Sequence, residues 1–237
     1  MALPKLGYPT YELDLPSSGK SIKYRPFLVK EEKVLLLALE SEDEKQVTNA
    51  VKDLIKNCVL SRIKVDTLPS FDLEYIFLKI RAASIGEFIT LTVTCLDDNE
   101  TTVEANININ EVEVAKPEGH DPKIMFDDDF GIVMKYPSMQ QFIDREFLQK
   151  DMETEEVYNF IADSIEQIFQ GEDIYDETTT NKKEFREFVD SLTTKQFEKI
   201  QKFYATSPKL SHTFKVVNPN TGKESSYTIE GLQSFFA

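Results

Sequence analysis

Residues 9–40 read Pro9-Thr-Tyr-Glu-Leu-Asp-Leu-Pro16-Ser-Ser-Gly19-Lys-Ser-Ile-Lys-Tyr-Arg-Pro26-Phe27, followed directly by Leu28-Val-Lys-Glu-Glu-Lys-Val-Leu-Leu-Leu-Ala-Leu-Glu40. Alternation over residues 11–15 and 21–25 predicts two strands, and the Pro-Ser-Ser-Gly segment between them predicts a turn. From Val29 the apolar spacing changes to that of a helix with a wide apolar face. A hairpin therefore leads straight into a helix. The stretch has no histidine or cysteine, so it indicates a role in shape or binding.

The same theme continues along the chain. Further helices are predicted after a capping box formed by Ser41 and Glu44, and after an N-cap at Ser70. Strands are expected where β-branched residues alternate, and short turns join them into hairpins. The predicted fold class is α+β, with antiparallel hairpins packed with helices and a helical C-terminal half that ends in a small hairpin. That half contains predicted helices at 138–150, 154–170, 182–192 and 194–204, followed by strands at 210–217 and 225–229.

Two regions are predicted from these patterns. Residues 1–136 form a hairpin and helix region, and residues 137–237 form a mainly helical region with the terminal hairpin. The boundary lies in the segment 116–137, which contains the loop Pro117-Glu-Gly-His-Asp-Pro122. A single domain is the alternative.

The formal net charge is −15, and its distribution is uneven. Residues 151–181 hold ten acids and no Lys, Arg or His. Such a surface repels phosphate backbones, which argues against nucleic acid as a partner. The acidic stretch serves solubility or meets a basic partner surface. No apolar run is long enough to span a membrane. The two cysteines have no metal-binding spacing, so a reduced cytoplasmic setting is expected.

Motifs with chemical meaning are weak in this sequence. Asp129-Phe130-Gly131 copies a kinase tripeptide without the other kinase motifs. The acidic run 127–129 resembles half of a calcium loop, but its glycine is misplaced. His120 and His212 lack the partners that zinc or a catalytic triad needs. We therefore predict no catalytic, cofactor-binding or metal-binding residue, and no cofactor. Chemistry by paired carboxylates, as in glycosidases, stays open at this point because acids are abundant.

Three groups of residues are candidate partner contacts. Aromatic residues and arginine are enriched at interface anchors, although the first group also fits a role in sealing the hairpin on its helix. The apolar C-terminal group must dock on its own domain or on a partner. The third group is acidic. The candidates are Tyr24, Arg25 and Phe27; Leu232, Phe235 and Phe236; and Glu172, Asp173 and Asp176.

Several blocks in order along the chain carry a resemblance to a known family. They are Pro9–Lys33, Phe71-Asp-Leu-Glu-Tyr-Ile-Phe77, Gly131-Ile-Val-Met-Lys-Tyr-Pro-Ser138, Pro208-Lys-Leu-Ser-His212 and Glu230-Gly-Leu-Gln-Ser-Phe-Phe236. Together they resemble the baseplate hub subunit family of T-even-like contractile-tailed bacteriophages, over nearly the whole chain. The resemblance implies a late, non-enzymatic structural or assembly protein of the central hub. It implies other tail and baseplate proteins as partners, with self-association as a further possibility, and no catalytic residue to carry over.

The resemblance also implies a location in the host cytoplasm during assembly or in the virion tail baseplate. Two other functions remain open from the residues. One is an acidic adaptor or chaperone that holds a basic partner. The other is a hydrolase that uses paired carboxylates, which would need inward-facing acids with raised pKa values.

Overall fold

The computed structural model describes residues 7–138 and 154–231, together with Ser234. The chain has a mixed α+β fold with small antiparallel sheets, as predicted. The strands are β1 Tyr11–Asp14, β2 Ser21–Tyr24, β3 Phe88–Thr94, β4 Thr102–Asn108, β5 Glu113–Ala115, β6 Lys123–Met125, β7 Phe130–Met134, β8 Ile165–Gln170, β9 Asp173–Asp176, β10 Lys209–Val217 and β11 Glu224–Glu230. The helices are α1 Val29–Glu40, α2 Glu44–Cys58, α3 Ser70–Ser84, α4 Thr154–Asp163, α5 Lys182–Ser191 and α6 Thr194–Ala205.

The chain divides into two compact units. The first comprises Met1–Ala115 and Lys209–Ala237, and the second comprises Lys116–Pro208. The terminal hairpin belongs to the first unit because β10 pairs with β5, with Leu210 opposite Val114. These units differ from the predicted regions 1–136 and 137–237, which grouped that hairpin with the helices before it. The division into domains at residues 136 and 137 stays a prediction.

The first hairpin forms where the sequence predicted it. Strands β1 and β2 pair antiparallel from Tyr11 opposite Tyr24 to Asp14 opposite Ser21. Gly19 has a φ of +66° in the turn, a conformation that glycine adopts at little cost. The turn is tied to α3, because the backbone N–H of Ser17 donates to Asp72 Oδ1 at 3.0 Å. The hairpin is thus anchored to the most deeply buried helix of this unit.

Two predicted helix caps are corrected by the structure. Asp43, and not Ser41, is the N-cap of α2, since its side chain accepts from the backbone N–H groups of Lys45 and Gln46. The Ser41 hydroxyl instead donates to Ala38 O at the end of α1, at 2.6 Å. Pro69 occupies the N-cap position of α3, so Ser70 is the first residue within that helix. Asp43 and Ser41 are both residue types that favour the N-cap position, so their spacing in the sequence could not show which one caps α2.

The rest of the first unit is built from hairpins around α3. Strands β3 and β4 pair along their full length, and β5 lies beside β10 in the sheet β11-β10-β5. The turns of the two long hairpins are joined, since Asn218 Nδ2 donates at 2.9 Å to both Asp97 and Asp98. The buried residues include Leu78, Ile89, Ile107, Ile109, Val112 and Leu210.

In its described residues, the second unit comprises a four-stranded antiparallel sheet and three helices. The strand order is β6-β7-β8-β9. Apolar side chains from β7, β8, α4, α5 and α6 form its core. The helices α5 and α6 confirm the predictions for 182–192 and 194–204. The predicted helix at 138–150 lies mostly outside the described residues.

The predicted helix over 154–170 is wrong beyond Asp163. Residues Ile165–Gln170 form β8, which pairs with β7 on one side and β9 on the other. A register shift places Ile165 opposite Met134 and Gln167 opposite Val133, so Glu166 is an extra residue in the strand. The bulge turns Ile165 and Ile168 to the same buried side. Apolar residues three apart normally indicate a helix, and here a bulged strand produces the same spacing.

Within the described residues, no helix is both long and apolar enough to cross a membrane.

Candidate partner-binding surfaces

Five acidic side chains meet at one end of the four-stranded sheet. The turn between β6 and β7 carries Asp127, Asp128 and Asp129, and the turn between β8 and β9 carries Glu172 next to Asp173. In an antiparallel sheet these two turns lie at the same end. The Gly171 N–H donates to Asp129 O at 2.8 Å, which joins the turns directly. We call these five residues the acidic end.

In the described residues, the charge of the acidic end is not offset by ion pairs. In the part of the chain that the structure describes, none of its five carboxylates takes part in an ion pair. Lys199, the lysine that reaches this end from α6, donates to Met125 O at 2.7 Å and leaves the carboxylates alone. Because unpaired acids of one sign raise the local negative potential, this end of the sheet favours a positively charged partner.

Strand β9 continues the acidic end along the edge of the sheet. It is the last strand in the order β6-β7-β8-β9, and no described strand pairs with its outer side. Ile174 is 56 % exposed and Tyr175 is 43 % exposed. An edge strand of this kind can be paired by an extended segment of another chain.

Asp176 closes this edge and is not a free acid. Its carboxylate accepts hydrogen bonds from the Thr178 hydroxyl and from the backbone N–H groups of Thr178 and Thr179. The side-chain hydrogen bond from Thr178 lowers the pKa of Asp176 below its ordinary value. Its backbone N–H donates to Thr179 Oγ1 at 2.9 Å. The strand is thus capped at Asp176, and its open part is Asp173–Tyr175.

The aromatic and arginine candidates lie inside the first unit. Tyr24, Arg25 and Phe27 are 7 %, 6 % and 8 % exposed. The backbone N–H of Arg25, directly after β2, already has a hydrogen-bond partner within the chain, since it donates to Cys58 O at 3.0 Å. Tyr24 and Phe27 are the two aromatic residues that the sequence offered as a seal between hairpin and helix, and both are buried. The role of Tyr24, Arg25 and Phe27 as partner contacts stays a prediction, and their burial gives it no support.

Arg25 is the centre of a buried polar cluster. Its guanidinium donates to Glu31 Oε1 at 3.0 Å and to Asn57 O at 3.0 Å. It also stacks on the Tyr8 ring, 5.2 Å from the centroid. Burial by itself would raise the pKa of Glu31, but the hydrogen bonds from Arg25 and from the Leu28 backbone lower it overall. The cluster ties the first hairpin to the helices α1 and α2.

The third group of candidates, Leu232, Phe235 and Phe236, lies outside the described residues. Its role stays a prediction.

Comparison with known proteins decides the family. A family model described as T4 bacteriophage base plate protein matches residues 8–237. The chain belongs to this family. No curated protein matches it, and no solved structure does. The resemblance to T-even-like baseplate proteins is therefore confirmed at the level of the family, and the match covers both compact units of this base plate protein.

His120 and Cys58 of the base plate protein are buried side chains with structural roles. His120 Nδ1 lies 2.9 Å from Thr206 Oγ1, and His120 Nε2 lies 2.9 Å from the Tyr136 hydroxyl. The Thr206 hydroxyl donates to Lys202 O, so it accepts from Nδ1–H and the Tyr136 hydroxyl donates to Nε2. Burial lowers the pKa of His120, which favours this neutral form. Burial also raises the pKa of Cys58 to about 11, so its thiol stays protonated.

The acidic turn of the base plate protein has its own structural use. Asp127 Oδ1 accepts from the backbone N–H groups of Asp129 and Phe130, which shapes the turn between β6 and β7. Among the described residues, no group of three or more His, Cys, Asp or Glu side chains is placed to hold a metal ion.

Two acids of the described residues line a cavity, and both form ion pairs. A cavity of about 300 Å³ in the second unit is lined by Asp163 and Glu177. Each is paired with a lysine, Asp163 with Lys182 at 3.4 Å and Glu177 with Lys135. The Lys135 hydrogen bond lowers the pKa of Glu177, whereas a general acid needs a raised one.

Asp72 in α3 is a buried acid, and burial raises its pKa. Ser17 holds it through both carboxylate oxygens, so its partners are structural.

A further surface was missed by reasoning from the sequence. The outer side of α1 carries four exposed apolar residues, namely Val29, Val34, Leu36 and Leu37. The sequence predicted a helix with a wide apolar face, and a run of leucines around the helix does not show which side is covered. The available signal was that same run, since a helix with one buried face needs fewer apolar residues.

Proposed function

We propose that this chain is a non-enzymatic structural or assembly protein of the central hub of the phage base plate. It acts through contacts with other tail proteins, in the host cytoplasm during assembly and in the tail base plate. Membership of the base plate family over 8–237 supports the general role. The acids of the base plate protein, in turns and in ion pairs, are consistent with a role that needs no catalysis.

The observation that carries the proposed mechanism is the acidic end beside the open edge of β9. Unpaired carboxylates steer a basic surface toward the site and fix its orientation. The exposed side chains of Ile174 and Tyr175 then offer apolar area at the point of contact. Aromatic side chains with a polar tip are favoured at such positions. We infer that a tail protein with a basic, extended segment binds here.

Affinity capture of tagged protein from infected cells tests this proposal. The test variant carries Glu172→Gln and Asp173→Asn, which remove two charges from exposed positions without changing size. The control variant carries Glu100→Gln and Glu104→Gln, which remove two exposed charges from the first unit. We expect wild type and control to capture base plate proteins equally, and the test variant to capture much less.

The interaction should also weaken as salt is raised, since it depends on exposed charges. Equal capture by the test variant and the control would refute the role of the acidic end. Recovery of no tail protein by wild type would refute the proposed function as a whole.

An acidic adaptor or chaperone for a basic partner is the second candidate. The same acidic end supports it, because a surface whose charge is not offset by ion pairs among the described residues suits a transient partner. A structural component of the hub would stay in the finished particle, whereas an adaptor would be released before completion.

A further inference from the structure

The helix α1 is apolar on two opposite sides. Leu35 and Ala38 point into the first unit and are 8 % and 7 % exposed. Val29 on the other side is 79 % exposed, and Val34, Leu36 and Leu37 are 52 %, 52 % and 55 % exposed. Single exposed apolar residues are ordinary, but four on one side of a twelve-residue helix form a patch. We call this side of the helix the outer face of α1.

Three charged residues, Lys30, Lys33 and Glu40, are exposed on this side of the helix, and Lys30 pairs with Glu31 at 3.4 Å. The other two frame the leucines. Lys33 and Glu40 are both exposed and stand seven residues apart, which is close to two helical turns and places them on the same line along the helix. Leu36 and Leu37 lie between them. In the described part of the chain neither Lys33 nor Glu40 forms an ion pair. Along the helix axis, this face therefore carries a positive charge, then apolar side chains, and then a negative charge.

We propose that the outer face of α1 binds the same face of a second copy of this chain, with the two helices antiparallel. A twofold axis between Leu36 and Leu37 would set Lys33 of each copy opposite Glu40 of the other. The leucines would then pack against each other at the centre. A contact across a twofold axis requires a surface that is complementary to itself. The charges on this face are complementary to those of a second copy when the two helices are antiparallel. A parallel pair would place like charges together.

The pattern favours a second copy over other occupants. An unrelated partner does not require opposite charges at equal distances from a centre. The apolar C-terminal segment offers leucine and phenylalanine, but residues 231–237 contain no charged side chain to meet Lys33 and Glu40. A contact made by one helix from each copy is small, and interfaces below about 1,200 Å² are typical of weak complexes. The dimer should therefore dissociate on dilution.

Sedimentation velocity on the purified chain, over a wide range of concentration, tests the proposal. We expect a shift from monomer to dimer as concentration rises. Leu37→Glu should abolish the shift, because it would bury two unpaired carboxylates at the centre. Position 37 is more than half exposed in the monomer, so circular dichroism and thermal unfolding should be unchanged. A wild-type chain that stays monomeric throughout would overturn the proposal.

Charge exchange tests the antiparallel geometry. Lys33→Glu alone, or Glu40→Lys alone, sets like charges opposite each other twice in the dimer and should weaken dimerisation by about tenfold or more. The double variant Lys33→Glu with Glu40→Lys restores opposite charges and should restore the dimer. The control variants Lys195→Glu and Glu104→Lys change exposed charges elsewhere and should dimerise like wild type.

The proposed contact would be overturned if the double variant did not regain dimerisation, or if the single variants dimerised like wild type. The test uses the pure chain alone. Its failure is therefore distinct from a failure of the proposed binding to tail proteins.

Discussion

At the scale of single residues, the polar groups of this chain mostly hold its own elements together. Arg25 was predicted as a partner contact, yet its guanidinium is buried and joins the first hairpin to Glu31 of α1 and to the end of α2. His120 likewise bridges Thr206 and Tyr136 within the second unit. Residue type could not separate an interface anchor from an internal one, because both uses favour arginine and aromatic side chains.

Replacing Arg25 by Met should destabilise the protein strongly. The change removes the buried cation that pairs with Glu31 at 3.0 Å and leaves that carboxylate only the exposed Lys30 at 3.4 Å. Breaking a buried pair in this way costs about 3–5 kcal/mol. Lys23→Met is the matched control, since Lys23 pairs with Glu12 at 3.2 Å with both side chains about two-thirds exposed. Lys23→Met should lower the free energy of unfolding by less than about 1 kcal/mol. Urea unfolding measures both. Equal losses would show that Arg25 does not act as a buried anchor.

The buried His120 should make stability depend on pH. Its pKa is lower in the folded chain than the ordinary value of about 6.5 in the unfolded chain. Below about pH 6.5 the unfolded chain therefore binds more protons, and the free energy of unfolding falls as pH decreases toward the folded pKa. His120→Gln should reduce the loss seen between pH 7.5 and pH 5.5 by urea unfolding.

His212→Gln is the control for this prediction and should keep the wild-type dependence on pH. An unchanged pH dependence in His120→Gln would contradict the assignment.

At the scale of elements, the four-stranded sheet shows how packing overrides local pattern. Gly131 belongs to the Asp129-Phe130-Gly131 sequence that resembles a kinase motif. The structure shows a steric requirement for glycine at this position. A β-carbon at this position would lie 2.7 Å from Phe169 Cζ, and closer still to Ile124 O. The strands β6 and β8 approach β7 so closely that only glycine fits.

Gly131→Ala should therefore destabilise the second unit. Phe169 and the β6 backbone must shift to admit the methyl group, and such overpacking costs about 1–3 kcal/mol. Gly7→Ala is the control, since nothing lies within 4 Å of a β-carbon there. Thermal unfolding of both variants provides the comparison. A Gly131→Ala variant as stable as the control would show that the sheet is less tightly packed at this point.

The sequence predicted those elements whose signals are local. Both long hairpins of the first unit, and the helices α5 and α6, follow from alternation, turn residues and helical spacing. The bulge at Glu166 was not predictable, because it arises from pairing with β7 and copies the spacing of a helix. The pairing of β5 with β10 joins residues about a hundred positions apart, and no local pattern encodes it. The acidic end was recognised only as separate acidic turns, since the sheet brings them together.

At the scale of the whole molecule, the chain presents two surfaces that its own described residues leave uncovered. The acidic end and β9 lie on the second unit, and the outer face of α1 lies on the first. The acidic end is charged. The outer face of α1 is apolar and is flanked by two opposite charges, in an arrangement that is complementary to itself. A protein that must join neighbours in an assembly needs such surfaces, and the family match places this chain among the base plate proteins of phage T4 type.

The most direct test of the account is quantitative mass spectrometry of base plates and assembly intermediates purified from infected cells. We expect the chain to co-purify with base plate proteins in at least one of these fractions. We also expect the Glu172→Gln, Asp173→Asn variant to be depleted there relative to the Glu100→Gln, Glu104→Gln control. Absence of the wild-type chain from both the finished base plates and every intermediate would contradict this expectation.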